Sequence, residues 1–421
     1  MRHLYTLLLC ILLPFVLLRL LWRSLSAPLY RQRWSERFGR ISGASPKGGL
    51  WIHAVSVGEV QAISSLVRLL TKHYPGLPIY ITTTTPTGSA TVQRLFGDQV
   101  GHSYMPYDLP LFLNRFLETL QPSHLLMVET EIWPNLLFAC RRHGIRTLLA
   151  NGRMSERSFK GYRRLGAFTR QVFAQIDAVA AQTQDDANRF IGLGVPGNAV
   201  EVTGSIKFDQ QIPASVEEQV EVMRRNWGGR PVWVAGSTHE GEEEIMLAAH
   251  LHLLREIPDA LLVLVPRHPE RFDRVTGQTI KSGLNLVRRS AGELPSGDVQ
   301  VYLADTMGEL PVLLGAADVA FIGGSLAKVG GHNMLEAAAQ GVPVCYGPHT
   351  FNFELISRML LDCGAARLVH DAQSLATLLQ AWLSDASVRS AAGESGRQVV
   401  QRNRGALARL YRMLEKQLAA G

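Results

Sequence analysis

Three charged side chains in the first half of the chain stand close behind apolar runs that are typical of buried strands. These residues are Glu59, Glu129 and Lys207. A carboxylate fixed at the end of a strand can take a proton from an attacking hydroxyl group, which is general base catalysis. A lysine nearby can stabilise negative charge that develops as a group is transferred. We therefore take these three residues as the candidate catalytic groups.

Each of these residues also has an ordinary structural explanation. Glu59 opens a helix predicted to run to about His73, and the helix dipole is expected to keep an acid in that first turn ionised. Glu129 shares its segment with Glu131, and one of these acids is equally consistent with a group that only accepts loop amides. Lys207 is also consistent with a solvated side chain ahead of a linker. The local pattern leaves both interpretations open for all three.

A glycine-rich segment, Gly323–Gly331, gives the strongest signal in the second half. Glycines allow backbone amides to approach a phosphate closely. Asn333 and Glu336 follow with a spacing that places them on one helix face, where a glutamate can accept hydrogen bonds from a ribose. A plain turn before a core helix explains Gly341 at the helix end but not this pairing. Neither the P-loop nor the dinucleotide fingerprint occurs, so a nucleotide site of another kind is predicted.

Three further loops of the second half follow predicted strands. Small residues at 236–238 precede a helix, and the free amides of such a start bind anions. Arg267 and His268 stand between two prolines that stiffen their presentation. The segment Asp305–Leu310 follows another strand. These loops present polar and charged groups on the same side of the predicted sheet, at the ends of its strands.

Short β-branched runs alternate with longer helical patterns throughout the chain. The predicted strands are Leu50–Val55, Ile79–Thr83, His124–Glu129, Arg146–Asn151, Ala178–Thr183, Val200–Ser205, Pro231–Gly236, Leu261–Pro266, Val301–Ala304, Val319–Gly323 and Val342–Tyr346. Continuous apolar strands with intervening helices indicate parallel sheets covered on both faces. The polar stretch Asp209–Pro231 is interpreted as an inter-domain linker. We predict an α/β protein with two Rossmann-like domains, 23–210 and 211–421, facing a cleft as in B-type glycosyltransferases.

The chain begins with an apolar segment, Leu4–Trp22, of 19 residues. As a helix this segment is about 28 Å long, close to the hydrocarbon thickness of a bilayer. Residues 19–40 carry six arginines and one acid, whereas only Arg2 and His3 precede the segment. The positive-inside rule therefore places the body of the protein in the cytoplasm.

We interpret residues 1–22 as an uncleaved signal-anchor that either spans the membrane or lies on it. The alternative is a cleaved signal peptide, for which Ser24–Ser26 offers small residues at the cleavage positions. Trp34 and Phe38, among arginines, suit a membrane interface. Anionic membrane lipid is therefore an expected partner.

The charge distribution and the cysteine content indicate which partners and which kinds of site to expect. Residues 1–210 carry 23 basic and 13 acidic side chains, and residues 211–421 carry 20 and 23. A basic first half behind an apolar N-terminus indicates an anionic surface as partner. No basic run interleaved with aromatics and no RNA-binding or zinc-finger signature occurs, so nucleic acid is not expected. The four cysteines stand singly without a CxxC pair, so neither a disulfide framework nor a metal site is expected.

Together these motifs resemble the 3-deoxy-D-manno-octulosonic acid (Kdo) transferases of bacterial lipopolysaccharide synthesis. The similar segments are the N-terminal anchor, RFG at 37–39, HAVSVGE at 53–59, TTPTG at 84–88, YMPYDLP at 104–110, ETEIWPN at 129–135, KFD at 207–209, GSTHEGEE at 236–243, PRHPERF at 266–272 and GGHNMLE at 330–336. Ten segments in one order are far more specific than any one of them.

The resemblance implies two Rossmann-like domains and an inverting reaction without metal or cofactor. Kdo would move from CMP-Kdo to a tetra-acylated, bis-phosphorylated lipid A precursor, lipid IVA, at the cytoplasmic face of the inner membrane. Under this resemblance Glu59 matches the base, and Glu129 and Lys207 match groups that stabilise the transition state. The implied CMP contacts are Arg267, His268, Met307, Gly308, Glu309, Asn333, Met334, Leu335 and Glu336.

Two other functions fit the same features. One is another membrane-associated nucleotide-sugar glycosyltransferase, which a preference for uridine over cytidine donors would reveal. The second is a non-catalytic nucleotide-binding scaffold at the membrane. That scaffold would tolerate loss of the Glu59 carboxylate but not loss of the anchor.

Overall fold

The structure, a computed structural model, describes residues 1–26, 28–41, 47–209 and 212–419. The chain forms two compact units. Unit 1 comprises Met1–Gln210 and Arg404–Gly421, and unit 2 comprises Gln211–Asn403. Each unit is built on one parallel sheet of seven strands, as expected from the continuous apolar runs.

The sheet of unit 1 has its switch point beside its first strand. Its strands are β1 (Leu50–His53), β2 (Ile79–Thr83), β3 (Gly101–Tyr104), β4 (His124–Val128), β5 (Arg146–Gly152), β6 (Ala178–Ala181) and β7 (Val200–Val202). Their order is β3-β2-β1-β4-β5-β6-β7. The chain moves outward from β1 to β3 and then returns to β4 on the other side. The end of the sheet between β1 and β4 is where ligands bind in sheets of this kind.

Helices bury both faces of this sheet. Those described before residue 210 are α1 (Arg2–Ser26), α2 (Trp34–Arg37), α3 (Val57–His73), α4 (Pro86–Phe96), α5 (Pro110–Leu120), α6 (Pro134–Arg142), α7 (Glu156–Arg164), α8 (Ala167–Phe173) and α9 (Gln184–Leu193). Trp51 packs in one core cluster with Phe116, whereas the next residue, Ile52, packs in another with Leu66. Successive strand residues point to opposite faces, so each face has its own core.

Unit 2 repeats this topology. Its strands are β8 (Val232–Thr238), β9 (Leu261–Pro266), β10 (Leu286–Arg288), β11 (Val301–Leu303), β12 (Val319–Ile322), β13 (Val344–Tyr346) and β14 (Ala366–Leu368). The order is β10-β11-β9-β8-β12-β13-β14, which places the switch point between β8 and β12. Its helices are α10 (Ala214–Asn226), α11 (Glu242–Leu253), α12 (Phe272–Lys281), α13 (Leu310–Ala316), α14 (Leu335–Ala338), α15 (Glu354–Asp362), α16 (Ala372–Ser384) and α17 (Ala386–Asn403).

The interpretation of Asp209–Pro231 as a linker is wrong for most of its length. The stretch contains α10, which belongs to unit 2. Val216, Met223 and Trp227 lie on one stripe of this stretch and are buried, with Trp227 only 2% exposed. An amphipathic helix of this kind is part of a domain core. Gln210 and Gln211 lie outside the described residues.

The last helix, α18 (Ala406–Ala419), belongs to unit 1 and not to the expected second domain. Its buried residues Leu410 and Leu414 join the core cluster on one face of the first sheet. The carboxylate of Asp209 accepts the backbone amides of Gly405 at 2.6 Å and Leu407 at 2.7 Å. Asp209 therefore caps the start of a helix that follows almost two hundred residues later.

All of the predicted strands are confirmed, with ends that shift by up to three residues. The sequence missed β3, β10 and β14, each of three or four residues. All three lie at sheet edges. Edge strands have less of their surface covered, so they lack the continuous apolar run by which the central strands were found.

The expected apolar helix at the N-terminus is confirmed and extends beyond the predicted end at residue 22. Within α1, Arg2–Leu25 is long and apolar enough to cross a bilayer, with a mean hydropathy of 2.4. The helix exposes large apolar side chains such as Leu4, Phe15 and Trp22. A surface of this kind requires an apolar partner.

Candidate active site

Glu59 lies beside the switch point of unit 1, where β1 passes into α3. Ser56 is the N-cap of α3 and donates its hydroxyl proton to Glu59 Oε1 over 3.0 Å. The backbone amide of Val55 donates to Glu59 Oε2 over 2.8 Å. The carboxylate reaches back to the chain before the cap, as in a capping box. Both oxygens are thereby oriented by the loop that follows β1.

The pKa of Glu59 differs from the expectation of a fully ionised helix-terminal acid. This pKa is raised to about 7, chiefly by burial and also by the charges of Glu129 and Glu131, while the bonds from Val55 and Ser56 act in the opposite direction. Burial therefore outweighs the stabilisation that the helix N-terminus was expected to give. A carboxylate that titrates near neutral pH is well matched to accept a proton in catalysis.

Glu129 and Lys207 are brought together by the fold. The Lys207 Nζ lies 2.9 Å from Glu129 Oε1, and both side chains are about one-fifth exposed. Glu129 follows β4 with φ at +63°, a left-handed conformation that costs about 1 to 2 kcal/mol for a residue with a Cβ. Its backbone amide donates to Ala150 of β5 over 2.9 Å. The strained turn aims the carboxylate at the lysine.

Glu131 has its own set of contacts, which are made with side chains and not with loop amides. Its Oε2 accepts the indole N–H of Trp133 over 2.8 Å and lies 3.8 Å from His53 Nε2. His53 is fully buried at the end of β1, and its Nδ1 lies 3.0 Å from the Thr82 hydroxyl. His53 opens the HAVSVGE segment but was not among the predicted site residues. A histidine that ends a buried strand next to an acidic loop is the signal that could have identified it.

Asn151 is a second residue of this site that the sequence analysis missed. It is fully buried at the end of β5 with φ at +54°. Its Oδ1 accepts the backbone amide of Ile206 over 3.2 Å, so it fixes the segment that carries Lys207. Asparagine tolerates the left-handed region better than most residues, and its position at a strand end was the available clue.

Three histidines meet in unit 2 beside the switch point between β8 and β12. The Nε2 atoms of His239 and His332 lie 2.8 Å apart, and the ring of His268 stands edge-on to His239 at 5.3 Å. One imidazole of the close pair must donate and the other accept. The pKa of His332 is lowered to about 3, chiefly by burial and also by His239, Arg267 and His268. Burial lowers the pKa of His239 as well, so the pair is uncharged at neutral pH.

Arg267 is the cation of this cluster that is best placed to bind a ligand. Its backbone amide donates to Thr238 at the end of β8 over 3.0 Å, which fixes the loop after β9. Within the described part of the chain, no hydrogen bond or ion pair is found for its guanidinium. Arg271, four residues later, instead pairs with the fully buried Glu243 through two bonds of 2.5 and 2.8 Å. Of these two arginines, Arg267 is therefore the one left to bind an anion.

The amides of the glycine-rich segment are not available to a phosphate, contrary to the expectation. The buried carboxylate of Glu242 accepts the backbone amides of residues 324 to 327 over 2.8 to 3.1 Å. The amides of Gly330 and Gly331 donate to the carbonyl of Gly324. Gly323 is required for a different reason, since a Cβ there would lie 2.3 Å from the Ser237 carbonyl oxygen. Glu242 therefore holds the loop closed against β8.

Asn333 and Glu336 are paired as the spacing predicted. Asn333 Nδ2 donates to Glu336 Oε1 over 3.1 Å, and Asn333 Oδ1 accepts the amide of Leu335. Burial raises the pKa of Glu336. The side chains of Met334 and Leu335 are buried, at 0% and 3% exposed. These two residues can therefore offer only backbone atoms to a ligand.

The loop after β11 holds Glu309 in an ion pair. Arg289 donates to its carboxylate over 2.9 and 3.3 Å, and the Thr306 hydroxyl donates as well. The pKa of Glu309 is lowered, chiefly by the bond from Arg289. Gly308 has φ at +92°, and Met307 is 61% exposed. This loop therefore exposes the flexible apolar side chain of Met307 next to Glu309, whose charge is balanced by Arg289.

Comparison with known proteins identifies the family. The profile of the family described as "3-Deoxy-D-manno-octulosonic-acid transferase (kdotransferase)" matches residues 32–210. The chain is 43% identical over 421 residues to the 3-deoxy-D-manno-octulosonic acid transferase of Haemophilus influenzae, with 99% of each chain covered. The chain belongs to the Kdo transferase family. The enzyme of the same name from Bordetella pertussis is 40% identical over 393 residues, with 90% of each chain covered.

Solved structures support the fold of this Kdo transferase. A UDP-GlcNAc 2-epimerase from Neisseria meningitidis aligns with a TM-score of 0.60 at 16% identity, covering 88% of this chain and 100% of its own. A glycosyltransferase from Rickettsia africae aligns with a TM-score of 0.55 at 15% identity, covering 89% and 97%. At this identity the likeness shows the fold alone. It confirms the predicted pair of Rossmann-like domains of the B-type glycosyltransferases.

The residues predicted for this Kdo transferase fall into two groups. Glu59, Glu129 and Lys207 lie in unit 1. Glu59 and Glu129 follow the two strands of its switch point, and Lys207, which follows the edge strand β7, reaches Glu129. The predicted CMP contacts lie in unit 2, in loops after β9, β11 and β12. No group of three or more His, Cys, Asp or Glu suited to a metal occurs among the residues that the structure describes.

Proposed function

We propose that this Kdo transferase moves Kdo from CMP-Kdo to a lipid A precursor, lipid IVA, with inversion at the sugar carbon. The observation that carries the proposal is the Glu59 carboxylate. It is oriented by Val55 and Ser56 and has a pKa of about 7 beside the switch point of unit 1. The family assignment and the separate set of cationic and polar groups in unit 2 support it.

In the proposed reaction Glu59 takes the proton of an acceptor hydroxyl while the oxygen attacks the anomeric carbon of Kdo. The bond between that carbon and the phosphate oxygen breaks, and CMP leaves with the electron pair. Direct displacement inverts the configuration. The transition state should resemble an oxocarbenium ion, so the Glu129 carboxylate has the right charge to stabilise it. Lys207 would balance that carboxylate and hold it in place.

Unit 2 supplies groups that match the chemistry of a CMP-sugar. Arg267 offers a guanidinium with no partner found in the described chain, which suits a phosphate. The Asn333–Glu336 pair can accept hydrogen bonds from ribose hydroxyls. The Met307–Glu309 loop and the backbone of Met334 and Leu335 complete the proposed contacts. A single phosphodiester and a sugar carboxylate carry few charges, so side-chain cations can neutralise them without a metal ion.

The acceptor and the location follow from unit 1. Residues 1–210 have an excess of ten basic side chains, which suits a bis-phosphorylated glycolipid in an anionic leaflet. The apolar helix α1 provides the membrane attachment. The cytoplasmic face of the inner membrane is proposed for the catalytic body because the family resemblance implies it, and the arginines after α1 suit an anionic leaflet.

The test is a transfer assay with the purified full chain. CMP-Kdo and lipid IVA are incubated with the protein, and the lipid product is examined by mass spectrometry for added Kdo. Parallel reactions with uridine-linked sugars test the alternative of another nucleotide-sugar transferase. The Glu59→Gln variant is the control for a scaffold without catalysis. Transfer only from uridine donors, or no difference between the variant and the wild type, would contradict the proposal.

A further inference from the structure

The first turn of α1 is bound to unit 1 by polar contacts. The guanidinium Nε of Arg2 donates to Asn135 Oδ1 over 3.0 Å, and the amide of Asn135 donates to the Thr6 hydroxyl over 3.0 Å. The Tyr5 hydroxyl donates to Asp108 Oδ2 over 2.9 Å. Asp108 in turn accepts the amides of Asn135 and Leu136 at the start of α6. The N-terminal end of the helix is therefore anchored to the body of the protein.

Aromatic contacts support the same attachment. The Arg2 guanidinium lies 4.8 Å from the centre of the Phe138 ring on α6. The Tyr5 ring lies 6.2 Å from that of Phe168 on α8. A cation over an aromatic ring and a pair of aromatic rings are both favourable contacts. Two helices of unit 1 thus contact the first turn of α1.

The other end of α1 also returns to unit 1 within a few residues. Arg31 donates to the Ser24 hydroxyl over 3.1 Å. The short helix α2 follows, where Glu36 accepts the amide of Tyr104 over 2.8 Å and Arg37 donates to the carbonyl of Thr84 over 2.9 Å. These partners lie at the ends of β3 and β2. Both ends of the apolar helix are therefore tied to the same unit.

One stripe along α1 is shielded and the opposite side is exposed. The partly covered side chains continue the side that carries Arg2 and Thr6, and they are Leu9, Leu13, Leu17 and Leu20, followed by the buried Ser24. The exposed apolar side chains cover the opposite side and both flanks, and they are Leu4, Leu7, Leu8, Ile11, Leu12, Phe15, Val16, Leu18, Leu21, Trp22 and Leu25. Only the shielded stripe, whose positions recur with the helical period, interrupts this surface. The whole length of α1 thus presents a broad apolar face outward.

This geometry is incompatible with a helix that crosses the bilayer. The 24 residues of the apolar stretch span about 36 Å as a helix, and a crossing helix has its ends on opposite sides of about 30 Å of hydrocarbon. Unit 1 cannot cross with it, because its surface carries charged groups. A helix that keeps both ends on unit 1 must stay on one side of the membrane.

We propose that α1 is an in-plane anchor, with its exposed face embedded in one leaflet of a phospholipid membrane and its first turn docked on Asp108 and Asn135. The partner is the lipid surface itself. Apolar area provides insertion, and Arg19 and Arg23 provide contact with anionic headgroups. This inference deepens the proposed function, since it specifies how the enzyme meets the membrane that holds its acceptor.

The docking also links the membrane to the acidic loop of the active site. Asn135 lies six residues after Glu129, in the loop and first turn that follow β4. Contacts of Arg2, Tyr5 and Thr6 with this region therefore fix the acidic loop relative to the lipid surface. Asn135 and Asp108 are positioning residues in this arrangement, because they act through the loop and not on the substrate.

The topology is tested with the full chain in preformed vesicles of phosphatidylcholine and phosphatidylglycerol. His3→Cys is introduced into a chain carrying Cys10→Ser and Cys363→Ser, in which the two buried cysteines remain. Ser390→Cys, at an exposed position of unit 2, marks the side of the body in a matched chain. A membrane-impermeant maleimide added outside should label both variants to the same extent. Labelling of the His3→Cys chain only after the vesicles are opened would overturn the proposal, whether or not the protein is a transferase.

A second measurement tests the docking itself. Arg2→Ala combined with Thr6→Val removes polar contacts of the first turn, and Arg225→Ala, the control, removes one exposed charge from α10 of unit 2. We expect the double variant to bind vesicles as the wild type does. Its KM for acceptor embedded in vesicles should rise several-fold, while its kcat for detergent-dispersed acceptor stays unchanged. Arg225→Ala should leave the KM near the wild-type value. Equal KM values for the double variant and the wild type would refute the docking.

Discussion

The two units have the same sheet topology but different chemistry at their switch points. Near the switch point of unit 1, Lys207 pairs with Glu129, and burial raises the pKa of Glu59 to about 7. At that of unit 2, the close pair of His239 and His332 is uncharged because burial lowers the pKa of both, and Glu309 is paired with Arg289. The topology determines where each site lies. The loop residues determine which site moves protons and which binds anions.

Loss of the Glu59 carboxylate is the strongest test of this difference between the units, because it should have the largest effect on kcat. We expect Glu59→Gln to lower kcat at least about a hundredfold, since general base catalysis contributes about 10² to 10⁴. The affinity for CMP should be unchanged, because unit 2 is untouched. The measurement is steady-state kinetics together with calorimetry of CMP binding.

The matched control for this variant is Glu156→Gln. Glu156 is also an acid in a first helical turn, at the start of α7, but it is exposed and paired with Lys160. It should retain wild-type turnover. If Glu59→Gln turned over as fast as this control, the assignment of proton transfer to unit 1 would be wrong.

Removal of the Arg267 guanidinium in unit 2 should have the next largest effect on the kinetics. We expect Arg267→Ala to raise the KM for the donor about 10- to 100-fold, since a hydrogen bond to a charged group is worth about 1.5 to 3 kcal/mol. Arg274→Ala is the control, because Arg274 forms an exposed pair with Glu240, and such pairs contribute little. The midpoint of the pH–rate profile should not move in either variant. A moved midpoint in Arg267→Ala would show that the two sites do not divide the chemistry as described.

The proposed ribose contact should have a smaller effect. Glu336→Gln keeps the shape of the side chain but removes its charge and one acceptor. We expect CMP binding to weaken about three- to tenfold, which corresponds to the roughly 0.5 to 1.5 kcal/mol of one hydrogen bond. Titration calorimetry with CMP measures the change. An affinity equal to that of the wild type would remove Glu336 from the donor site.

The parts of this comparison that were predictable are those encoded by neighbours in sequence. The central strands and the pairing of Asn333 with Glu336 follow from local periodicity, and the structure contains both. The contact of Lys207 with Glu129 could be expected because both follow strands of one parallel sheet. Such features depend on residue spacing and on the rule that parallel strands end at one edge.

The parts that sequence could not give depend on contacts between distant segments. Glu242 is one of three acids in the first turn of α11, yet its carboxylate binds amides 82 to 85 positions later. The meeting of His239 with His332 spans 93 positions. The direction of the pKa of Glu59 depends on how far the fold buries it. Hydrophobic periodicity cannot predict these contacts or this pKa, because they arise only when distant segments come together in the folded sheet.

The smallest predicted effect is a shift in the pH dependence of the reaction, caused by a change in the charges around Glu59. It tests whether proton transfer belongs to unit 1. The rate should fall about tenfold for each pH unit below the pKa of Glu59, because the base acts only when ionised. In Glu129→Gln one negative charge near Glu59 is lost and Lys207 is released from its partner. Both changes favour the ionised form of Glu59, so its pKa should decrease. The acidic limb of the kcat/KM profile should therefore shift to lower pH, by up to about one unit. A shift in the opposite direction would mean that a group other than Glu59 controls the limb.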